Sequence, residues 1–99
     1  MSAENAAVAK MLEGYEEVIR RFVSGQIDAD KFENDFLTHF KTDTNQVAGD
    51  EFDILDRLFT DVDEYVADPN LRAATGGIDG DELRLRAQSA YQRLYREAL

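Results

Sequence analysis

Along most of this chain apolar residues recur at three- and four-residue steps, and no stretch alternates with period two for long enough to make a half-buried strand. That confines the fold to helices. From Ala3 to Ser24 the period is carried by Val8, Leu12, Tyr15, Ile19 and Phe22, and Gly25 stops it. Ile27-Asp28 opens a second helix: Asp28 is placed to cap its free amides, Ile27 to staple onto Phe32, and Phe32, Phe36, Leu37 and Phe40 form the apolar face. The polar run Lys41 to Gly49 reads as a loop. A third helix runs from about Asp50 to Ala67 and ends before Asp68-Pro69, because proline disfavours helical geometry in the residue preceding it. Residues 68–77, DPNLRAATGG, read as a second loop. Ile78-Asp79-Gly80-Asp81-Glu82-Leu83 then supplies a capping box, Asp79 to Glu82, and a staple for a fourth helix running to the carboxyl end, with Leu83, Ala87, Ala90, Tyr91 and Leu94 inward. The similar IDADKF and IDGDEL are two helix starts and need no duplication to explain them. Four amphipathic helices on short loops predict an all-α fold, a small antiparallel four-helix bundle, as a single domain over residues 1–99.

A chain of 99 residues supports one core, and ten aromatic residues can anchor it. There is no cysteine, hence no disulfide, thiolate metal site or cysteine nucleophile, and nothing calls for an oxidising compartment. No run of 18 apolar residues exists, and MSAENAAVAK lacks the basic-then-apolar plan of a secretion signal, so the expected location is cytoplasmic. The formal net charge of −10 is uneven: residues 1–49 carry 5 basic and 9 acidic groups, residues 50–69 carry 1 and 8, and residues 70–99 carry 5 and 4. Such a surface repels nucleic acid and anionic lipid and steers a basic protein toward itself.

The charge is densest where the helical period is clearest. With Phe52 at zero and about 100° per residue, Phe52, Ile54, Leu55, Leu58, Phe59, Val62, Tyr65 and Val66 fill one apolar arc. Asp53, Asp56, Thr60, Asp63 and Glu64 gather on the opposite side, with Arg57 and Asp61 just beyond. Like charges three residues apart, such as Asp53 with Asp56 and Asp61 with Glu64, each cost a few tenths of a kcal/mol, and Arg57 offsets part of this. A merely solvated face would account for an acidic helix in general. The concentration in one segment, and the use of short Asp side chains that hold charge close to the backbone, favour more. Carboxylates about 5–6 Å apart on a rigid helix can stand in for the phosphates of a nucleic-acid strand in a cleft lined by Arg and Lys.

Other chemistry finds little support. His39 is the one histidine, which rules out a histidine pair and places it as a boundary residue near a helix end. Asp61-Val-Asp63 and Asp79-Gly-Asp81 do not continue into a calcium-binding loop, and capping accounts for the second pair. No metal or cofactor is expected. Paired carboxylates need a partly buried cleft to serve as acid and base, so no enzyme is expected and no catalytic residue is assigned. Gly76-Gly77 lacks the lysine and strand of a phosphate cradle, and Tyr91 and Tyr95 with Arg84, Arg86, Arg93 and Arg96 are read as core packing and surface.

Three segments, FVSGQIDADKFENDFL, FDILDRLFTDVDEYVADPNLR and IDGDELRLRAQSAYQRL, resemble the bacterial self-protective colicin-like immunity family, typified by the colicin D immunity protein, from about Leu12 to Leu94. LDRLFTDVDEYVADP is the most specific of them. The resemblance implies a four-helix bundle that inhibits the nuclease domain of a bacteriocin in the producing cell. In the type member the toxin cuts tRNA in the anticodon loop, and acidic side chains fill its basic active site in place of the tRNA backbone. Carried over, the acidic position two before the aromatic Tyr65 is Asp63, and that beside the proline is Asp68. Both are expected to touch the toxin. The helical wheel adds Asp53, Asp56, Asp61 and Glu64. The chain departs from the type member in residues added before the first helix and in a more acidic third helix. A monomer forming a 1:1 complex with a basic toxin nuclease is expected; the rival readings are an acidic helical adaptor for a non-nuclease basic protein and a small metal-dependent enzyme.

Overall fold

The structure is a computed structural model that describes residues 3–95, with side chains from residue 6 onward. Five helices follow one another: α1 (Ala3–Val23), α2 (Ala29–Thr42), α3 (Asp50–Glu64), α4 (Pro69–Thr75) and α5 (Gly80–Tyr95). The all-α expectation holds, whereas the expected count of four is corrected to five. The segment read as a loop at residues 68–77 contains α4.

The same two residues account for both the stop and the start. Pro69 ends helical geometry at its predecessor and is itself preorganised for a first helical turn, while the Asp68 carboxylate accepts from the Asn70 amide at 2.9 Å as N-cap. Gly76, at φ 75°, closes α4 in the left-handed conformation.

α3 also stops three residues short of the expected Ala67. Tyr65 turns extended, the Val66 amide donates to the Ile78 carbonyl at 3.0 Å, and the Ile78 amide donates to the Glu64 carbonyl at 3.0 Å. This parallel bridge between Tyr65 and Ile78 takes the bonds a further helical turn would have used. Gly77 permits it, since a Cβ there would lie 2.7 Å from the Glu64 carbonyl oxygen and 2.6 Å from Val66 Cγ2.

The starts of α2 and α5 follow their capping residues. The Asp28 carboxylate accepts from the Lys31 amide and the Asp79 carboxylate from the Glu82 amide, both at 2.8 Å. The second half of the expected capping box at α5 is absent, because the Glu82 carboxylate accepts from Arg86 Nε at 3.1 Å instead.

α1 packs on α2 and α5, and α3 packs on α2 and α5, with α4 at the margin. Met11, Tyr15, Ile19 and Phe22 of α1, Phe32 and Phe36 of α2, Leu55, Leu58 and Val62 of α3, and Leu83 and Ala87 of α5 are buried together. All six phenylalanines form one seam: Phe22 stacks on Phe32 with centroids 4.3 Å apart, the contact continues through Phe36 to Phe40, and Phe40 meets Phe52 and Phe59 of α3. Full burial of each such ring is worth about 1.5–3 kcal/mol, which ties α2 firmly to both neighbours.

Candidate partner-binding surface

α3 carries acid at both ends, and the two ends differ in energy. Asp50, Glu51 and Asp53 occupy the first turn, where the positive end of the helix dipole stabilises them. Asp63 and Glu64 occupy the last turn, which holds no basic residue, so their charges add to the negative end of the dipole. Asp53, Asp56, Asp63 and Glu64 are exposed, as the helical wheel requires. Asp68 is exposed as well, with its carboxylate committed to capping α4.

Asp61 is placed differently. It is 6% exposed and accepts from Arg86 Nη1 of α5 at 2.8 Å. On the wheel it adjoins Ile54, and α5 covers that edge of α3. Arg86 also approaches Glu64 at 3.7 Å, which makes it the cation for Asp61, Glu64 and Glu82 together. Arg57 is 4.0 Å from Asp61 but its side chain is 80% exposed, so Arg86 is the principal partner.

The acidic face does not end with α3. The Tyr65 hydroxyl donates to the Asp30 carboxylate of α2 at 2.7 Å. Burial and this bond to an anion, with Glu33 and Asp28 nearby, push the tyrosine up to about 12. Glu33, again on α2, is raised above the usual carboxylate range by partial burial first and then by the charges of Asp30 and Asp63. Glu33 thus feels the charge of Asp30 on its own helix and of Asp63 on α3, the second brought near by the packing of α2 against α3. Wheel reasoning on a single helix missed Asp30 and Glu33. The signal was present in DADKFEND, which carries four acids and one lysine immediately after the second helix start.

The residues set aside on sequence have structural occupations. Tyr91 donates to Glu16 and Tyr95 to the Leu12 carbonyl, each at 2.7 Å. Arg84 donates from Nε to the Phe22 carbonyl at 3.1 Å and covers the Phe22 ring. Arg96 lies outside the described residues. His39 stands edge-on to Tyr15 with centroids 4.5 Å apart, and its buried Nε2, 4.0 Å from the Asp43 carboxylate, has no hydrogen-bond partner among the described residues. Among the described residues no three His, Cys, Asp or Glu side chains converge closely enough to hold a metal ion. No helix among them is long and apolar enough to cross a membrane.

The site is thus an acidic surface shared by two packed helices. The family model of bacterial self-protective colicin-like immunity matches residues 11–94, and the chain belongs to that family. Its role is that of a toxin inhibitor, and the partner it implies is a cognate toxin protein. No curated protein and no solved structure matches the chain.

Proposed function

We propose that this protein protects its producing cell by binding, one to one in the cytoplasm, the nuclease domain of a cognate toxin, a tRNA-cleaving enzyme of the colicin D kind. Asp56, Asp63 and Glu64 of α3, with Asp53 toward its start and Asp68 at its exit, take the places of RNA phosphates among the toxin's Arg and Lys side chains. Asp30 and Glu33 of α2 extend the surface, while Asp61 acts from behind it by holding Arg86. The observation that carries this reading is charge retained against stability: Asp63 sits at the negative end of the α3 dipole and close enough to Glu33 for the two charges to repel, whereas Glu64 beside it is offset in part by Arg86.

The test is RNA cleavage by the cognate toxin nuclease, with the wild type and with an Asp63→Lys, Asp68→Asn double variant. Asn preserves the cap of α4, so loss of binding is not loss of fold. The wild type is expected to abolish cleavage, and the variant to bind at least a hundredfold more weakly, by several kcal/mol, at unchanged helix content. A toxin inhibited equally by both proteins would move the contact surface elsewhere. A wild type that neither binds the toxin nor slows its RNA cleavage would favour the adaptor reading.

A further inference from the structure

α4 is a helix with little of its own to hold it. At seven residues it is shorter than helices that persist unaided in water, and none of its residues is buried. Caps fasten its two ends, and Arg72 fastens its middle by donating from Nη1 to the Val66 carbonyl at 2.8 Å. Between α4 and the first turn of α5 lies a shallow depression of about 650 Å³ with the Gly76-Gly77 turn beneath it. Pro69, Ala73, Ile78 and Leu85 supply its apolar lining. Leu85 is 61% exposed, more than the other exposed large apolar residue, Leu71 on α4, at 53%. Asp79, Asp81 and Glu82 stand round the same depression, and the Asp81 side chain is 95% exposed.

Resting on the toxin-inhibitor reading above, we propose that this depression is a second part of the toxin footprint, which seats one apolar side chain of the toxin flanked by Lys or Arg. Two observations select that occupant. The rim carries three acids, Asp79, Asp81 and Glu82, against one base, Arg72, and even with Glu82 bonded to Arg86 this surplus complements a basic partner, whereas a second copy of this chain, at a net charge of −10, would bring like charge to the same rim. The depression also neighbours the acidic face, because Glu82 on its rim shares Arg86 with Glu64 of α3. The charged face governs encounter and the apolar seat governs residence, the division of labour seen where polar surroundings enclose a buried anchor.

The experiment compares association and dissociation rates of the toxin nuclease domain on immobilised wild type, Leu85→Ser, Ala73→Trp and Asp63→Lys proteins, with sedimentation of each free protein alongside. Leu85→Ser alters an exposed residue, and Ala73→Trp fills the depression without touching the core. Both are expected to speed dissociation about tenfold or more with association little changed, while Asp63→Lys slows association. Unchanged dissociation in both depression variants, with Asp63→Lys still impaired, overturns this proposal and leaves the toxin reading standing. Failure of the wild type to bind the toxin overturns both. A wild-type dimer that Leu85→Ser dissociates would assign the depression to a second copy and overturn the proposal.

Discussion

Asp61 and Arg86 form the pair on which the acid-rich end of α3 depends. Asp61 is buried and its carboxylate accepts at 2.8 Å from a guanidinium that also pairs with Glu82 and approaches Glu64. The guanidinium is held in its charged state by its bonds to Glu82 and Asp61, in that order. Removing the cation leaves a buried anion with only Arg57 nearby, 4.0 Å away and largely in solvent. Arg86→Ala is expected to cost about 2–3 kcal/mol in urea unfolding. Replacing both members, Asp61→Leu with Arg86→Leu, is expected to recover much of that loss, since no orphaned charge remains. This residue also marks a limit of sequence reading. A wheel locates Asp61 at the edge of the apolar arc, but whether that edge meets solvent or another helix depends on α5, whose Arg86 is 25 residues away in the chain.

Helices α1, α2 and α5 could be read from period and caps, and α3 from its apolar arc; the ends were harder. Asp68-Pro69 signals a stop and a start equally, and a seven-residue helix without buried residues has no apolar period to reveal it. The Tyr65–Ile78 bridge could not be foreseen, because it is a backbone bond between segments that are separate in sequence. For the acidic site, the exposed α3 residues were legible, whereas Asp30 and Glu33 needed the α2–α3 packing that the phenylalanine seam enforces. Within α3 the last turn sets affinity against stability. Asp63→Asn removes repulsion from Glu33 and an unfavourable dipole contact, so it is expected to raise stability by about 0.3–1 kcal/mol. The same change should weaken toxin binding. Chemical denaturation and a binding isotherm on the one variant check both signs, and a variant that loses stability would show that Asp63 is structural.

Net charge and the tyrosines together set the pH range in which the protein is most stable. At a net charge of −10 the folded chain repels itself, and mild acidification relieves this. Glu33 acts in the same direction: its raised folded pKa means that the native state binds the proton more readily than the unfolded chain, so its contribution to stability grows as pH falls through the raised folded value toward the ordinary carboxylate value. On the alkaline side all four tyrosines are raised. Burial leads for Tyr15, Tyr65 and Tyr95, and the bond to Glu16 leads for Tyr91. Their stabilising effect is complete below the ordinary value of 10.0 and is lost as pH climbs from there through the folded values, about 12 for Tyr65. Each tyrosine that is ionised only when unfolded adds up to about 1.4 kcal/mol per pH unit to that decline. Urea midpoints should therefore rise modestly from pH 7 to 5 and fall steeply above pH 10. Tyr95→Phe retains the ring and removes the titrating hydroxyl, so it should make the alkaline fall shallower although it sacrifices the 2.7 Å bond to the Leu12 carbonyl. An equally steep fall in that variant would mean that Tyr95 ionises freely in the folded protein and that its packing against α1 is looser than this arrangement requires.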